Sequence, residues 1–209
     1  MRSAGRPAVV EQPGQAGDDQ RSFRQRLLDA LEESIAEDGY PKTTVADIVR
    51  RARTSRRTFY EHFPSREACF VALITDANTA QVNRISAAVD GTAPWQRQVR
   101  QAIEAWIASA ESKPSLMLSW IRDGPSLGAA ARRLQRGTME NFIAMVQSLC
   151  DTGEFRRAGV GPVSRQRAIM LLGGLRELTA ITVENGGRMS DITEEAVDAS
   201  LALLAPRPL

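Results

Sequence analysis

The stretch Lys42-Thr43-Thr44-Val45-Ala46-Asp47-Ile48-Val49-Arg50-Arg51-Ala52-Arg53-Thr54-Ser55-Arg56-Arg57-Thr58-Phe59-Tyr60-Glu61-His62-Phe63-Pro64-Ser65-Arg66 decides the fold. Thr44 opens a helical pattern in which Val45, Ile48, Val49 and Ala52 share one face, and Asp47 stands three residues on, where it closes a capping box. After Arg53-Thr54 a second start follows at Ser55, with Phe59 and Phe63 on an inward stripe. Pro64 ends that helix, because its ring disfavours α conformation at Phe63. Two helices of about two turns joined by a tight turn make a helix-turn-helix, whose second helix enters the DNA major groove. The charge agrees. Seven basic residues (Lys42, Arg50, Arg51, Arg53, Arg56, Arg57, Arg66) face two acidic ones (Asp47, Glu61), a local excess of +5 in a chain whose total is +2.

Outward from this stretch the pattern stays helical. Leu27, Leu28, Leu31 and Ile35 define a helix that Ser22 and Gln25 cap and Gly39 stops. Residues 1–19, with Arg2 and Arg6, hold too few apolar side chains to offset the entropy of ordering and read as a flexible arm. Ser65 starts a longer helix with Phe70, Leu73, Ile74 and Ala77 on one face, running to about Val89. Apolar stripes then mark helices from Trp95 to Ala110, Ser115 to Ile121, Leu127 to Cys150, 164 to 184 and Thr193 to Leu204. No stretch alternates at period two. The expectation is an all-α protein of about nine helices, with a DNA-binding unit over 20–66 and a ligand-binding and dimerisation domain over 67–209.

Composition removes several other classes. The chain has 209 residues, 43% hydrophobic and 25% charged, enough to bury a real core and too apolar for a disordered protein. No run approaches the ~20 apolar residues of a membrane span, and Met1 to Pro7 lacks the apolar core of a secretion signal, so a cytoplasmic protein without a membrane partner is expected. Cys69 and Cys150 have no CxxC neighbour, and His62 is the one histidine. Neither a metal site, a cofactor site nor a histidine-based catalytic triad is therefore expected.

Thr44 through Ile48 and Thr58 through Glu67 together resemble the DNA-binding region of the TetR family of bacterial transcriptional repressors. The shared features are a Thr-rich start to the second helix, Phe59-Tyr60 followed by Phe63 in the recognition helix, and the Ser65-Arg66-Glu67 start of the fourth. The resemblance covers about Phe23 to Leu73. It implies phosphate roles for Thr43 and Thr44 and backbone-positioning roles for Tyr60, His62 and Arg66. Arg56, Arg57 and Thr58, at the start of the recognition helix, become the base readers. Two residues depart from the family pattern: Arg53 stands at a usual turn glycine, and Arg57 where many members carry glycine or another small residue. A left-handed backbone at Arg53 would cost roughly 1 kcal/mol.

The C-terminal region offers Trp106, Met117, Trp120, Met139, Phe142, Met145 and Met170 as lining for a cavity that takes an apolar or aromatic small-molecule effector. Core packing accounts for each of them equally well. Asn141, Arg176, Glu177 and Thr182 can orient a ligand, or Arg176 and Glu177 can bridge a dimer. The helix over 164–184 is apolar on most sides and needs cover on most sides. In the family, the last two helices of two subunits form a four-helix interface; Gly173 and Gly174 would permit close approach there or mark a kink. The expectation is a homodimeric repressor on an inverted-repeat DNA operator, released by the effector. The alternatives are a constitutive DNA-binding protein without effector, and an all-α enzyme using a pocket carboxylate such as Glu104, Glu140 or Glu177.

Overall fold

The computed structural model describes residues 13–206, with side chains described from Ser22 onward. Ten α-helices and no strand occur among them: α1 Pro13–Asp38, α2 Val45–Arg51, α3 Arg56–His62, α4 Arg66–Ala88, α5 Trp95–Ser112, α6 Pro114–Arg122, α7 Gly128–Leu149, α8 Gly153–Arg157, α9 Arg165–Glu184 and α10 Thr193–Leu204. The all-α class holds. The short α8 is the element that hydrophobic periodicity did not signal, since five residues make less than two turns. Helix α1 begins at Pro13, nine residues before Ser22, so the Ser22–Gln25 capping box does not form. Proline is compatible with a first turn and the following residues continue the helix. Arg2 and Arg6 lie outside the described residues.

The caps read from sequence at Thr44, Ser55 and Ser65 are in place. Thr44 Oγ1 accepts from the Asp47 N–H while the Asp47 carboxylate accepts from the Thr44 N–H. Ser55 and Ser65 accept from the Thr58 and Ala68 N–H groups. Phe63 is extended at φ −135°, as a residue before proline prefers. Gly39 ends α1 at φ +77°, ψ 158°, a conformation open to glycine and costly for other residues.

The side chains gather into two cores. The first unites Leu27, Leu31 and Ile35 of α1, Ile48 of α2, Phe59 of α3 and Phe70 and Leu73 of α4. It also takes in Leu116 and Trp120 of α6, and so extends beyond residue 66, where the sequence suggested a boundary. Tyr40 packs on Phe70 with ring centroids 4.3 Å apart, and Phe70 lies 6.4 Å from Trp120. The second core joins α5, α7, α9 and α10 through Ile103, Trp106, Phe142, Leu172, Leu175 and Val197. Helix α4 belongs to both: Phe70 enters the first core and Ile85 the second. Helix α9 buries Ala168, Leu171, Leu172, Leu175 and Thr179 against its own chain and leaves Ile169, Met170 and Ile181 exposed on its other side.

The turn between α2 and α3 is a Schellman motif. The Thr54 N–H donates to the Val49 carbonyl at 3.0 Å and the Arg53 N–H to the Arg50 carbonyl at 3.3 Å. Its left-handed position falls on Arg53, φ 49°, the one non-glycine residue with positive φ among the described residues. The Arg26 guanidinium of α1 closes the motif by donating to the Ala52 and Arg53 carbonyls. Because this tie uses only the Arg53 backbone, Arg53→Gly should relieve the steric cost and raise the unfolding free energy by up to ~1 kcal/mol in urea denaturation. Unchanged stability would show that the turn carries no strain.

Candidate nucleic-acid interface and ligand cavity

Helix α3 is held by its apolar side and presents the other. Phe59 is buried, and Tyr60 stands edge-on to it with centroids 5.3 Å apart, 56% exposed. Arg56 and Arg57 project from the first turn into solvent, with Thr58 half-buried between the reading face and the cap. The Thr58 hydroxyl lies 3.0 Å from Ser55 Oγ. Arg57 Nε donates to Glu61 Oε1 at 3.0 Å along the helix, an exposed pair that a stronger anion can displace. His62 is half-buried at the last turn. The first turn of α3 thus offers two guanidinium forks, which suit guanine O6 and N7 or phosphate oxygens, and the exposed Tyr60 follows on the same helix.

The basic residues of 42–66 divide into two groups. The Thr44 hydroxyl and amide hold the Asp47 carboxyl below its ordinary value, and Arg50, which donates to the same carboxylate, adds to the effect. Arg51 turns back to Glu37 of α1, whose carboxyl is held down by the guanidinium, and ties α2 to α1. Lys42, Arg53 and Arg56 make no ion pair among the described residues. The cationic surface is therefore narrower than the sequence count, and its outward part centres on the turn and the start of α3.

Two residues expected to hold phosphates are placed otherwise. Thr43 is 1% exposed and its hydroxyl donates to the Gly39 carbonyl at 3.0 Å, so its side chain has no free face for a phosphate. Arg66 lies over the Tyr40 ring, 4.4 Å from its centroid, and donates to the Thr43 and Tyr40 carbonyls. It is a strap from α4 to the segment before α2. Burial pushes the Tyr40 phenol up to about 12, so the ring under that strap stays neutral across ordinary pH. Thr44 is exposed at the α2 N-cap, but its hydroxyl is shared with Asp47 at 2.6 Å.

Five of the seven cavity candidates meet. Trp106, Met117, Trp120, Met139 and Phe142 line a cavity of about 50 Å³ together with Asn78 and Gln81 of α4 and Arg176 of α9. A neighbouring chamber of about 70 Å³ shares Asn78, Gln81, Met117 and Trp120. Met145 lies instead in an apolar pocket with Cys150 and Phe155 and along the groove between α4 and α7. Met170 is 55% exposed and lines none of these pockets, because it falls on the outer side of α9. Asn78 and Gln81 were not singled out from sequence: polar residues three apart on a helix read as a solvated face until the neighbouring helices are known. Of the four residues with an open role, Arg176 lines the cavity, Asn141 lies on the α4–α7 groove, Thr182 is buried, and Glu177 pairs with Arg122 at 2.9 Å.

Comparison with known proteins meets this geometry at both ends of the chain. Residues 27–73 match the family model described as bacterial regulatory proteins, tetR family. Over 67 residues the chain is 33% identical to the HTH-type transcriptional regulator YvdT of Bacillus subtilis, a match covering 32% of this chain and about a third, 34%, of that protein. Across nearly the whole chain the fold is similar to FadR from Bacillus subtilis in complex with stearoyl-CoA, with TM-score 0.72, 16% identity, and 88% of this chain and 99% of that one covered. It is also similar to a TetR transcriptional regulator from Rhodococcus sp. RHA1 (TM-score 0.66, 16% identity, 89% and 97% covered). Reduced NemR of E. coli is a further neighbour (TM-score 0.69, 16% identity, 89% and 100% covered).

The division between straps and reading residues has a measurable consequence. Arg66→Ala should lower the unfolding free energy by about 1.5–3 kcal/mol, the worth of hydrogen bonds from a charged group, without changing the salt slope of DNA binding by the folded fraction. Arg56→Ala should instead reduce that slope by about 1 for each reading head. A slope loss for Arg66→Ala at unchanged stability would place its guanidinium on a phosphate.

Proposed function

We propose, from the match of residues 27–73 to the tetR family model, that the chain is a TetR-family transcriptional regulator and acts as a homodimeric, sequence-specific repressor released from an inverted-repeat operator by a small-molecule effector. The observation that carries this is the first turn of α3, where Arg56 and Arg57 are exposed on a Ser55-capped helix anchored by Phe59. Arg57 and Thr58 read base edges. Arg56, for which the resemblance implies base reading as well, is assigned instead to the backbone, where it sets the register with Tyr60 and the exposed Thr44, with His62 at the rim. Two copies pair through the outer side of α9, where Ile169, Met170 and Ile181 are exposed, and through α10. Such a two-fold pairing sets two α3 helices on one DNA face.

The effector is a compact apolar or aromatic molecule in the cavity lined by Trp106, Trp120 and Phe142. Trp120 is also part of the core beneath α3, so a ligand that favours one setting of α6 and α4 changes the separation of the two reading helices. Only a difference in ligand affinity between the two settings can release DNA, and a tenfold loss of operator affinity needs about 1.4 kcal/mol of coupling. A constitutive DNA-binding protein would need no cavity at this junction. The carboxylates an enzyme would use are engaged separately: Glu104 with Arg100, Glu140 with Arg165 and Glu177 with Arg122.

Selection from random duplexes at moderate salt tests the proposal. It should enrich an inverted repeat with half-site centres about 34–36 Å apart or a multiple of that spacing. Arg57→Ala should change base preference at one position per half-site, at a cost of about 1–3 kcal/mol. Enrichment of no sequence contradicts the repressor, and an Arg57→Ala profile identical to the parent contradicts the base-reading role.

A further inference from the structure

The cavity contains a charge without a counter-charge. Arg176 is half-buried on α9, and its described hydrogen bond is from Nη2 to the Ile121 carbonyl at 3.2 Å. It makes no ion pair among the described residues. The adjacent Glu177 does not serve, because Arg122 binds it at 2.9 Å and Glu184 at 2.6 Å. Burial pulls the guanidinium down from its ordinary value, yet arginine stays charged in proteins. A half-buried guanidinium held by one carbonyl, with the neighbouring carboxylate engaged by Arg122, keeps donors open to a further acceptor.

Gln81 presents a second open donor to the same space. Its side chain is 5% exposed, it lines both chambers, and its Nε2 has no hydrogen-bond partner. No aspartate or glutamate lines either chamber, whereas the neighbouring one adds Arg84, which donates to Ser109, and Lys113, which pairs with Glu32. The remaining walls combine apolar surfaces, with Trp106 edge-on to Phe142 at 5.5 Å between ring centroids, and the polar side chains of Asn78, Gln135 and Thr138.

We propose that this cavity binds a compact aromatic carboxylic acid, its carboxylate between the Arg176 guanidinium and the Gln81 amide and its ring among Trp106, Trp120 and Phe142. The guanidinium fork matches the two oxygens of a carboxylate, and the acid supplies the missing counter-charge. A neutral aromatic of the same shape fills the same walls but leaves Arg176 unpaired. The assignment names the class of effector for the function proposed above, and depends on that function only for its consequence at DNA.

The test uses the full chain and matched probes: benzoate, phenylacetate and cinnamate, each against its neutral amide, read by tryptophan fluorescence and by thermal midpoint. At least one acid should quench fluorescence and raise the midpoint at millimolar concentration, with its amide bound about tenfold or more weakly. Arg176→Met, verified as helical by circular dichroism, should bind acid and amide alike, and Gln81→Leu should weaken the acid about fivefold. If Arg176→Met does not fold, the acid-against-amide comparison in the parent chain and Gln81→Leu still decide. No binding by any acid, amides binding as tightly as acids, or an acid preference surviving Arg176→Met each overturns the assignment. An amide that binds equally well and releases operator DNA removes the anion site and leaves the effector-responsive repressor. An acid bound through Arg176 without effect on operator affinity removes the effector role and leaves the site.

Discussion

Helices of seven residues do not persist in water on their own hydrogen bonds, so everything α2 and α3 present depends on the apolar core beneath them. Phe59 supplies the anchor of α3, and its full burial contributes on the order of 1.5–3 kcal/mol. That core is not closed by its own segment. Leu116 and Trp120 arrive from α6, more than fifty residues further along the chain, and Trp120 stacks at an angle against Phe70. The same Trp120 is a wall of the cavity that holds Arg176 and Gln81. Reader and cavity therefore share a side chain, which is a physical contact between the two ends of the proposed response.

Polar ties fix how the core carries the reader. Arg26 closes the turn after α2, Arg51 binds α2 to Glu37, and Arg66 joins α4 to the carbonyls before α2. Arg51 grips the Glu37 carboxylate with both ends of its guanidinium fork, while Arg26 and Arg66 each bridge two backbone carbonyls from one terminal nitrogen. Lys113, the residue before α6, reaches Glu32 of α1 at 2.7 Å, and Arg122 at the other end of α6 holds Glu177 and Glu184 of α9. Helix α6 is thus fastened on one side to the reading unit and on the other to the helix that carries Arg176. Exposed pairs of this kind add little stability singly, but they fix orientation.

The sequence disclosed what is decided within a few residues. The caps at Thr44, Ser55 and Ser65, the break at Pro64 and the burden on Arg53 all depend on neighbours one to four positions away. Inward placement of Phe59 and Phe63 followed from helical spacing. What periodicity does not reveal is which neighbour a side chain meets. Thr43 and Arg66 sit beside a DNA-facing segment in sequence but spend their polar atoms on Gly39, Thr43 and Tyr40 carbonyls. Met170 shares its helix with Leu171 and Leu172 yet falls on the outer side. Gln81 reads as a surface residue until α6, α7 and α9 close around it. Trp120 reads as cavity lining or as C-terminal packing, because its contact with Phe70 spans a long sequence separation.

The central claim is that the core under α3 is completed from α6, so a change at Trp120, the wall that core and cavity share, reaches the reading helix. Amide hydrogen exchange over residues 44–63 in Trp120→Leu, with Trp106→Leu as the control from the second core, addresses it most directly. The account predicts that Trp120→Leu speeds exchange of the α2 and α3 amides by about tenfold or more, while Trp106→Leu confines its effect to α5, α7 and α9. Exchange of α2 and α3 at the parent rate in Trp120→Leu would contradict it.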